Sequence, residues 1–321
     1  MTSRRLTTAG GLFALLFVPY AVTRYGIHIV NLTLIFVMLA VGLSIVLGYA
    51  GQVNLAQAAF FGMGAYAIAV LTVKAGLGYW PAFPLSIVAA ALLGLLVGLP
   101  SLRLRGDYLA IVTLGFGEII RVVVQNTDAF GRALGLSGIP QTSSLAMVGF
   151  WVFLVVLVAR RIAYSSHGRS LWAIREDEVA AEAMGVNTTA YKVRAFVVSA
   201  FFAGIAGGLF AHFVPIINPG SFTFVKSMEI VVMIVAGGLG STTGAIIAAV
   251  FLTLLPEGLR SLFSMVGAEG SLSQRVDQIR MPVYGLLLVA LMLSRPQGLF
   301  GTKELWDVVP RWLPRRRKGI S

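Results

Sequence analysis

The sequence predicts an all-α polytopic transmembrane helix bundle, and three observations carry that expectation. Of the 321 residues, 57% are hydrophobic and 12% charged. A soluble domain carries about 25% charged residues, so this chain lacks the polar surface to cover a globule of its size. Its apolar segments run about 14–22 residues, near the ~20 of a helical span and longer than the ~9–11 of a barrel strand. None of the long segments alternates polar with apolar residues, as a barrel strand would.

Ten apolar segments follow in order, at about 6–23, 27–48, 56–73, 82–100, 108–125, 143–162, 195–215, 226–240, 242–260 and 281–294. Arg4 and Arg5 precede the first, which runs into Ala21–Val22–Thr23–Arg24–Tyr25 without a small-residue cleavage site. It reads as a retained span rather than a signal peptide. The eighth is short and ends in Gly237, Gly238 and Gly240, and the tenth is short and opens on Pro282. Eight full spans with two partial ones is the alternative count. Residues 1–301 form the transmembrane domain, with a polar loop at 163–195, and residues 302–321 form a basic cytoplasmic tail.

Charge sets the expected orientation. Threading ten spans gathers Arg4, Arg5, Arg103, Arg105, the loop cations Arg160, Arg161, Arg169, Arg175, Lys192 and Arg194, and the tail from Arg295 to Lys318 on one side. The other side holds Arg24, Lys74, Arg132, Lys226, Arg260, Arg275 and Arg280. The richer side is expected to be cytoplasmic, which places both termini and the polar loop there. The net charge of +12 thus reads as topology and lipid contact, not nucleic-acid binding. The tail segment PRWLPRRRK fits anionic headgroups.

Several chemistries are excluded or unsupported. The chain has no Cys, which rules out disulfides, thiolate metal sites, Cys nucleophiles and iron–sulfur clusters. His28, His167 and His212 form no ligand pair. There is no G-x-x-x-x-G-K-[ST] phosphate loop, no G-x-S-x-G elbow and no H-E-x-x-H motif. The chain reads as a non-enzyme with no cofactor of its own.

Glycine is abundant, with 36 residues. Gly94 with Gly98, Gly204 with Gly208, and Gly240 with Gly244 are each spaced to share a helix face and admit close helix packing. Two other stretches, GYAGQVNLAQ at 48–57 and GGLGSTTG at 237–244, mix Gly with polar residues at or near membrane depth. Non-helical backbone there must be buried in protein or line a water-filled cavity, and transporters use such broken helices around the solute path. The two stretches lie at similar places in the halves 27–125 and 195–294, so an internal repeat of about five spans is expected, with 143–162 as linker. Gln52, Asn54 and Gln57, with Gly238 and Gly240, either line a path or hydrogen-bond between helices. Glu118 and Arg121 sit at i and i+3 within the fifth segment and can neutralise each other. They are read as a structural pair or as path lining. Glu229 and Glu257 lie near span ends, within reach of water.

The polar stretch Gly168–Phe196 cannot sit in a bilayer. Ser170 is expected to N-cap a helix from about Leu171 to Met184, with Glu176, Asp177 and Glu178 toward its first half and Gly185 ending it. Asn187 caps the next helix, which enters the seventh span. The loop is expected to hold a helix–Gly–helix shape with an apolar face of Leu171, Trp172, Ile174 and Val179.

This loop resembles the cytoplasmic coupling loop of the branched-chain amino-acid ABC importer permeases. The matching residues are Gly168–Arg169, Ala173–Glu176, Glu178, Ala180–Ala181, Met184–Asn187, Lys192 and Ala195–Phe196. In order along the chain, Gly48–Gln57, Leu102–Leu109, Thr113–Glu118, Gly135–Pro140, Ala236–Gly244 and Arg295–Gly301 match as well. The chain is most similar to the longer of the two paired permeases. The resemblance implies a multi-pass subunit of the bacterial plasma (inner) membrane that forms a path for branched-chain or related amino acids. It also implies a second homologous permease, two cytoplasmic ATPase subunits that use ATP and Mg, and a periplasmic or lipid-anchored solute-binding protein. By the same resemblance, Leu171, Ile174, Arg175, Glu178, Ala181 and Gly185 receive ATPase motion. A permease of this family for urea, amides or other small solutes is the alternative. An ion-coupled secondary transporter is the alternative of another class, and a membrane enzyme lacks a visible catalytic cluster.

Overall fold

The computed structural model describes residues 24–101, 104 and 106–265, with the helical positions 282, 285, 286 and 289. The expected first span, most of the tenth and the basic tail lie outside the described residues. Helix α1 covers Arg24–Leu43 and continues through a π-helical turn at Ser44–Tyr49. Then come α2 (Gln57–Val73), α3 (Tyr79–Ser101), α4 (Asp107–Asn126) and α5 (Leu145–Ala163). The polar loop carries α6 (Ser166–Glu176) and α7 (Glu178–Ala183). Helices α8 (Thr188–Ala211), α9 (Phe224–Gly237) and α10 (Thr242–Met265) follow.

Among the described residues, four helices are long and apolar enough to cross a membrane: Tyr25–Tyr49, Tyr79–Pro100, Leu145–Ala163 and Thr188–Ala211. Gln57–Val73 and Thr242–Gly258 are shorter apolar helices. The eighth expected segment is short in the structure as well. At 14 residues α9 reaches about 21 Å, short of the ~30 Å hydrocarbon core.

Backbone contact through glycine organises the centre. Helix α8 packs against α2 and α3, and α9 and α10 pack against α1, which also touches α8 and α5. A Cβ on Gly207 would lie 2.2 Å from the Phe61 carbonyl oxygen, and one on Gly64 would lie 2.7 Å from Gly204 Cα. Gly94 and Gly98 meet Ala200 and Phe196, and Gly208 meets Phe83. Without these side chains the helices approach until their backbones touch, which supplies dispersion contact that lipid cannot match. The Gly240–Gly244 pairing differs from expectation. Gly240 lies outside the helices with φ +97°, while Gly244 packs on Gly237 of α9.

Contacts between loops sort them to two ends. At one end Lys74 Nζ donates to the Asp128 carbonyl at 2.6 Å, and β1 (Leu136–Ser137) pairs antiparallel with β2 (Ile216–Ile217). At the other end the polar loop meets the stretches after α1 and α9. Successive long helices therefore alternate in direction. Glu229 does not reach water as expected. It is buried, and Lys226 Nζ donates to it at 2.8 Å while lying 5.0 Å from the Phe36 ring centroid. Pairing one turn apart within α9 keeps both charges satisfied inside the protein.

His212 ends α8 at the strand-bearing end, buried, with Nδ1 donating to the Pro140 carbonyl at 2.7 Å. Its Nε2 is buried without a partner. Burial pulls its pKa below the ordinary 6.5, and the Pro140 contact opposes this. A depressed histidine pKa means the unfolded chain binds the proton first, so the stability is present above about pH 6.5 and is lost as pH falls. Thermal unfolding should therefore begin at lower temperature at about pH 5.5 than at about pH 7.5, and His212→Gln should remove that difference.

Candidate functional site

The chain leaves α1 at Ala50 and runs non-helically to Ala56. This segment turns back into the bundle. Gln57, its first helical residue, donates from Nε2 to the Leu39 carbonyl at 3.4 Å. Leu39 lies ten residues before the end of the π turn at Tyr49, about 15 Å along the axis. The freed backbone groups find partners: Gln52 N–H donates to Val46 O, Leu55 N–H to Thr113 Oγ1, and Ala58 N–H to Ser227 Oγ. Backbone at this depth thus stays satisfied by protein. Gln57 Oε1 accepts from Ser199 Oγ at 2.9 Å, so Gln57 ties α1 to α8 by hydrogen bonds. Asn54 Oδ1 accepts from Ala56 N–H, leaving its Nδ2 buried without a partner, as is Gln52 Oε1.

The second break follows α9. Gly238 caps the helix at φ +114°, and Gly240 turns the chain at φ +97°. Tyr49 and Thr242 share a hydroxyl contact of 2.6 Å that ties the two breaks together.

The polar loop docks on this junction, though its helix is not the one expected. Ser165, not Ser170, caps α6 by accepting from Gly168 N–H, and Ser170 Oγ donates to Ser166 O within the helix. Asp177 then breaks the helix at φ −155° and caps α7 by accepting from the Val179 and Ala180 N–H groups. An aspartate that competes for backbone donors favours a cap over a helix interior. Gly185 at φ +83° ends α7, and Asn187 caps α8, both as the sequence predicts.

Helix α6 sends Trp172 and Arg175 into a groove of glycines. A Cβ on Gly240 would meet Trp172 Cη2 at 2.6 Å, and one on Gly51 would meet Arg175 Cγ at 2.9 Å. A Cβ on Gly48 would meet Gly240 N at 3.1 Å. Arg175 Nη1 donates to the Gly48 carbonyl at 2.5 Å and reaches the Leu239 carbonyl at 3.4 Å. Both oxygens lie at or just past helix C-termini, where the dipole end favours a cation by about 0.3–1 kcal/mol. Trp172 lies between Arg175 and Tyr49, with the guanidinium carbon 5.2 Å from the indole and the two ring centroids 5.8 Å apart at a tilt of 51°. Beside this lies a cleft of about 250 Å³ whose wall includes Gly51, Gln52, Leu104, Arg175, Glu178 and Lys192. Lys192 Nζ pairs with Glu178 Oε1 there, the lysine side chain 5% exposed.

The predicted loop residues separate by face. Leu171, Ile174 and Ala181 are buried against the bundle, while Gly185 is exposed. The large apolar side chains turned outward are Val179, 64% exposed, and Met184, 84% exposed. Trp172 carries contacts that reading the loop as a surface helix gave no reason to expect. Its spacing of three from Arg175 was the available signal.

Glu118 stands apart, on α4. Arg121 Nε donates to its Oε2 at 2.7 Å, the two side chains 28% and 35% exposed for Arg121 and Glu118. Between the exposed Asp107 and Asn126 at its two ends, the outer face of α4 around the pair is apolar, with Ile111, Ile119, Val122 and Val123 exposed. A lone charge at a helix centre costs roughly 2.5–3.5 kcal/mol in lipid. A part-exposed ion pair eleven residues into α4 therefore suits a face turned to protein or water. Among the described residues no group of three or more His, Asp or Glu converges as a metal site would require.

Residues 26–293 match the profile described as "Branched-chain amino acid transport system / permease component". The chain is 37% identical over 316 residues to the high-affinity branched-chain amino acid transport system permease protein LivM of Escherichia coli strain K12, covering 88% of this chain and 71% of that protein. It is 26% identical over 247 residues to the probable LivM of Methanocaldococcus jannaschii, covering 69% of each. It is also 32% identical over 168 residues to the permease protein LivH of Escherichia coli strain K12, covering 52% of this chain and 50% of LivH. No solved structure matches the chain.

Proposed function

Because this chain belongs to the branched-chain amino acid transport system permease family, we propose that the Trp172–Arg175 junction carries ATPase motion into the membrane helices. The chain is a multi-pass membrane permease subunit of an amino acid importer and is not an enzyme. The observation that supports the coupling role is the Arg175 guanidinium, which holds the carbonyls of Gly48 and Leu239 at once. Any tilt of α6 moves both helix ends with it. The outward Val179 and Met184 supply the apolar contact for a cytoplasmic ATPase, and the buried Leu171, Ile174 and Ala181 hold α6 and α7 to the bundle.

In this reading the loop end is cytoplasmic, in keeping with its basic residues, and the membrane is the bacterial plasma membrane. A second, homologous permease, two ATPases that use ATP and Mg, and a periplasmic or lipid-anchored binding protein complete the importer. Packing supports an inverted repeat: α2 and α3 pack on α8 while α9 and α10 pack on α1, and α1 and α8 run in opposite directions. The break at 50–56 then corresponds to 212–223, each following the first helix of its half. The stretch 237–244 follows the second helix, so in this reading it is not the counterpart of 48–57.

Val179→Asp combined with Met184→Asp in the assembled importer tests the coupling reading. Uptake and solute-stimulated ATP hydrolysis should fall together by at least about tenfold, as loss of buried interface contacts of ~1.5–3 kcal/mol each would dictate. Normal uptake and hydrolysis would show that the ATPase does not use this surface.

A further inference from the structure

We propose that the pocket between α2, α4 and the 3₁₀ turn Pro219–Phe222, with Arg121 in its wall and Glu118 paired to that arginine, is a transient site for the transported amino acid. The site takes the zwitterionic head on the two charges and the branched aliphatic side chain in the pocket. It deepens the permease reading above and depends on it. Gly62, Tyr66, Gly117, Arg121, Val124 and Phe222 are among its lining residues, and the lining is otherwise apolar. The geometry repeats along both helices. Ala59, Gly62 and Tyr66 share one face of α2, and Gly117, Arg121 and Val124 share one face of α4.

Three features point to a ligand of this chemistry. First, Glu118 and Arg121 present a carboxylate and a guanidinium side by side, the complement of an ammonium and a carboxylate on one Cα. Arginine can take a carboxylate through two parallel donors. Second, the pair is part-exposed in the middle of α4, where the neighbouring exposed side chains Ile111, Ile119, Val122 and Val123 are apolar. Third, Tyr66 is 1% exposed, edge-on to Phe130 and Phe222, and its hydroxyl is buried with no hydrogen-bond partner. A buried hydroxyl without a partner is an unmet donor in a wall of hydrocarbon. In this conformation the pocket is narrow, about 10 Å³, barely the ~10–15 Å³ that one water needs. Side-chain entry requires α4 to part from the Pro219–Phe222 turn. Few contacts hold α4 to the bundle compared with α2, α3 or α8, so it is freer to move than they are.

The test uses the whole importer in proteoliposomes, with leucine as the probe and the ratio of leucine moved to ATP hydrolysed as the readout. Glu118→Gln and Arg121→Gln should each lower that ratio at least about tenfold, the factor set by a charge-assisted hydrogen bond. Tyr66→Phe removes one oxygen and keeps the ion pair, so it guards against loss of assembly in the charge variants. It should lower the ratio severalfold. The exchange Glu118→Arg with Arg121→Glu preserves a structural pair but inverts the head-group site, and it should stay impaired. Recovery of the wild-type ratio in the exchanged chain, or wild-type ratios in Tyr66→Phe and both single charge variants, would overturn the site. If the unaltered importer moves no leucine, the permease reading for branched-chain solutes fails instead, and the two failures are distinct.

Discussion

Replacing Gly240 by valine should uncouple the importer, with uptake reduced at least about tenfold. Two costs add at this residue. Its φ of +97° is a conformation β-branched residues avoid, at about 1–3 kcal/mol. The new Cβ would also stand 2.6 Å from Trp172 Cη2 and 3.1 Å from Arg175 Nη1. Arg175 cannot leave without releasing the Gly48 and Leu239 carbonyls, and Trp172 lies against Arg175, so the valine pushes the loop away from both breaks. Trp172→Ala in the same chain should recover part of the loss, because it removes the clash but not the strain. The two changes should therefore couple by roughly 0.5–3 kcal/mol in a double-mutant cycle on uptake. Strict additivity would mean that Trp172 and Gly240 do not act together.

Gly207→Val should cost the most in stability. Its Cβ would lie 2.2 Å from Phe61 O and 2.7 Å from Ala65 N, both backbone atoms of α2. Backbone cannot rotate away, so α8 and α2 must separate along their length. A loss of at least about 3 kcal/mol is expected, at the upper end of overpacking costs. It should appear as a lower thermal midpoint of the detergent-solubilised chain and a smaller yield of paired permease. Gly115→Ala on α4 is the control, since nothing lies within 4 Å of a Cβ there. It should leave stability unchanged or raise it by up to about 1 kcal/mol through helix propensity. Equal midpoints for the two variants would remove close packing as the organising contact of the bundle.

Much of the architecture was legible in the chain. Apolar runs located the helices because a bilayer demands unbroken hydrogen-bonded segments of a given length. Gly185 and Asn187 marked the ends of α7 and the start of α8 because their preferences are local. Ser170 misled for a related reason. Ser165, Ser170 and Asp177 all offer capping oxygens, and which of them caps depends on where α5 ends, with Gly168 held against the carbonyls of Ile162 and Ala163. Gln57 looked equally fit for a path or a helix contact, and only the tertiary structure showed which helix groups, Leu39 O and Ser199 Oγ, it bonds. Glu229 sat near a span end in sequence, yet the turn at Pro219–Phe222 starts α9 inside the protein and buries it.

Composition, segment length and the ordered motifs were enough to determine a helical membrane permease with one polar loop, because membrane partition and helix capping are properties of short stretches. The sequence also offered Arg175 and Gly240 as separate points of interest. That they touch, with Trp172 between glycines from two distant breaks, was decided only by tertiary structure. The junction joins residues from 48 to 240, and no local preference specifies which backbone carbonyls a guanidinium will find across that separation.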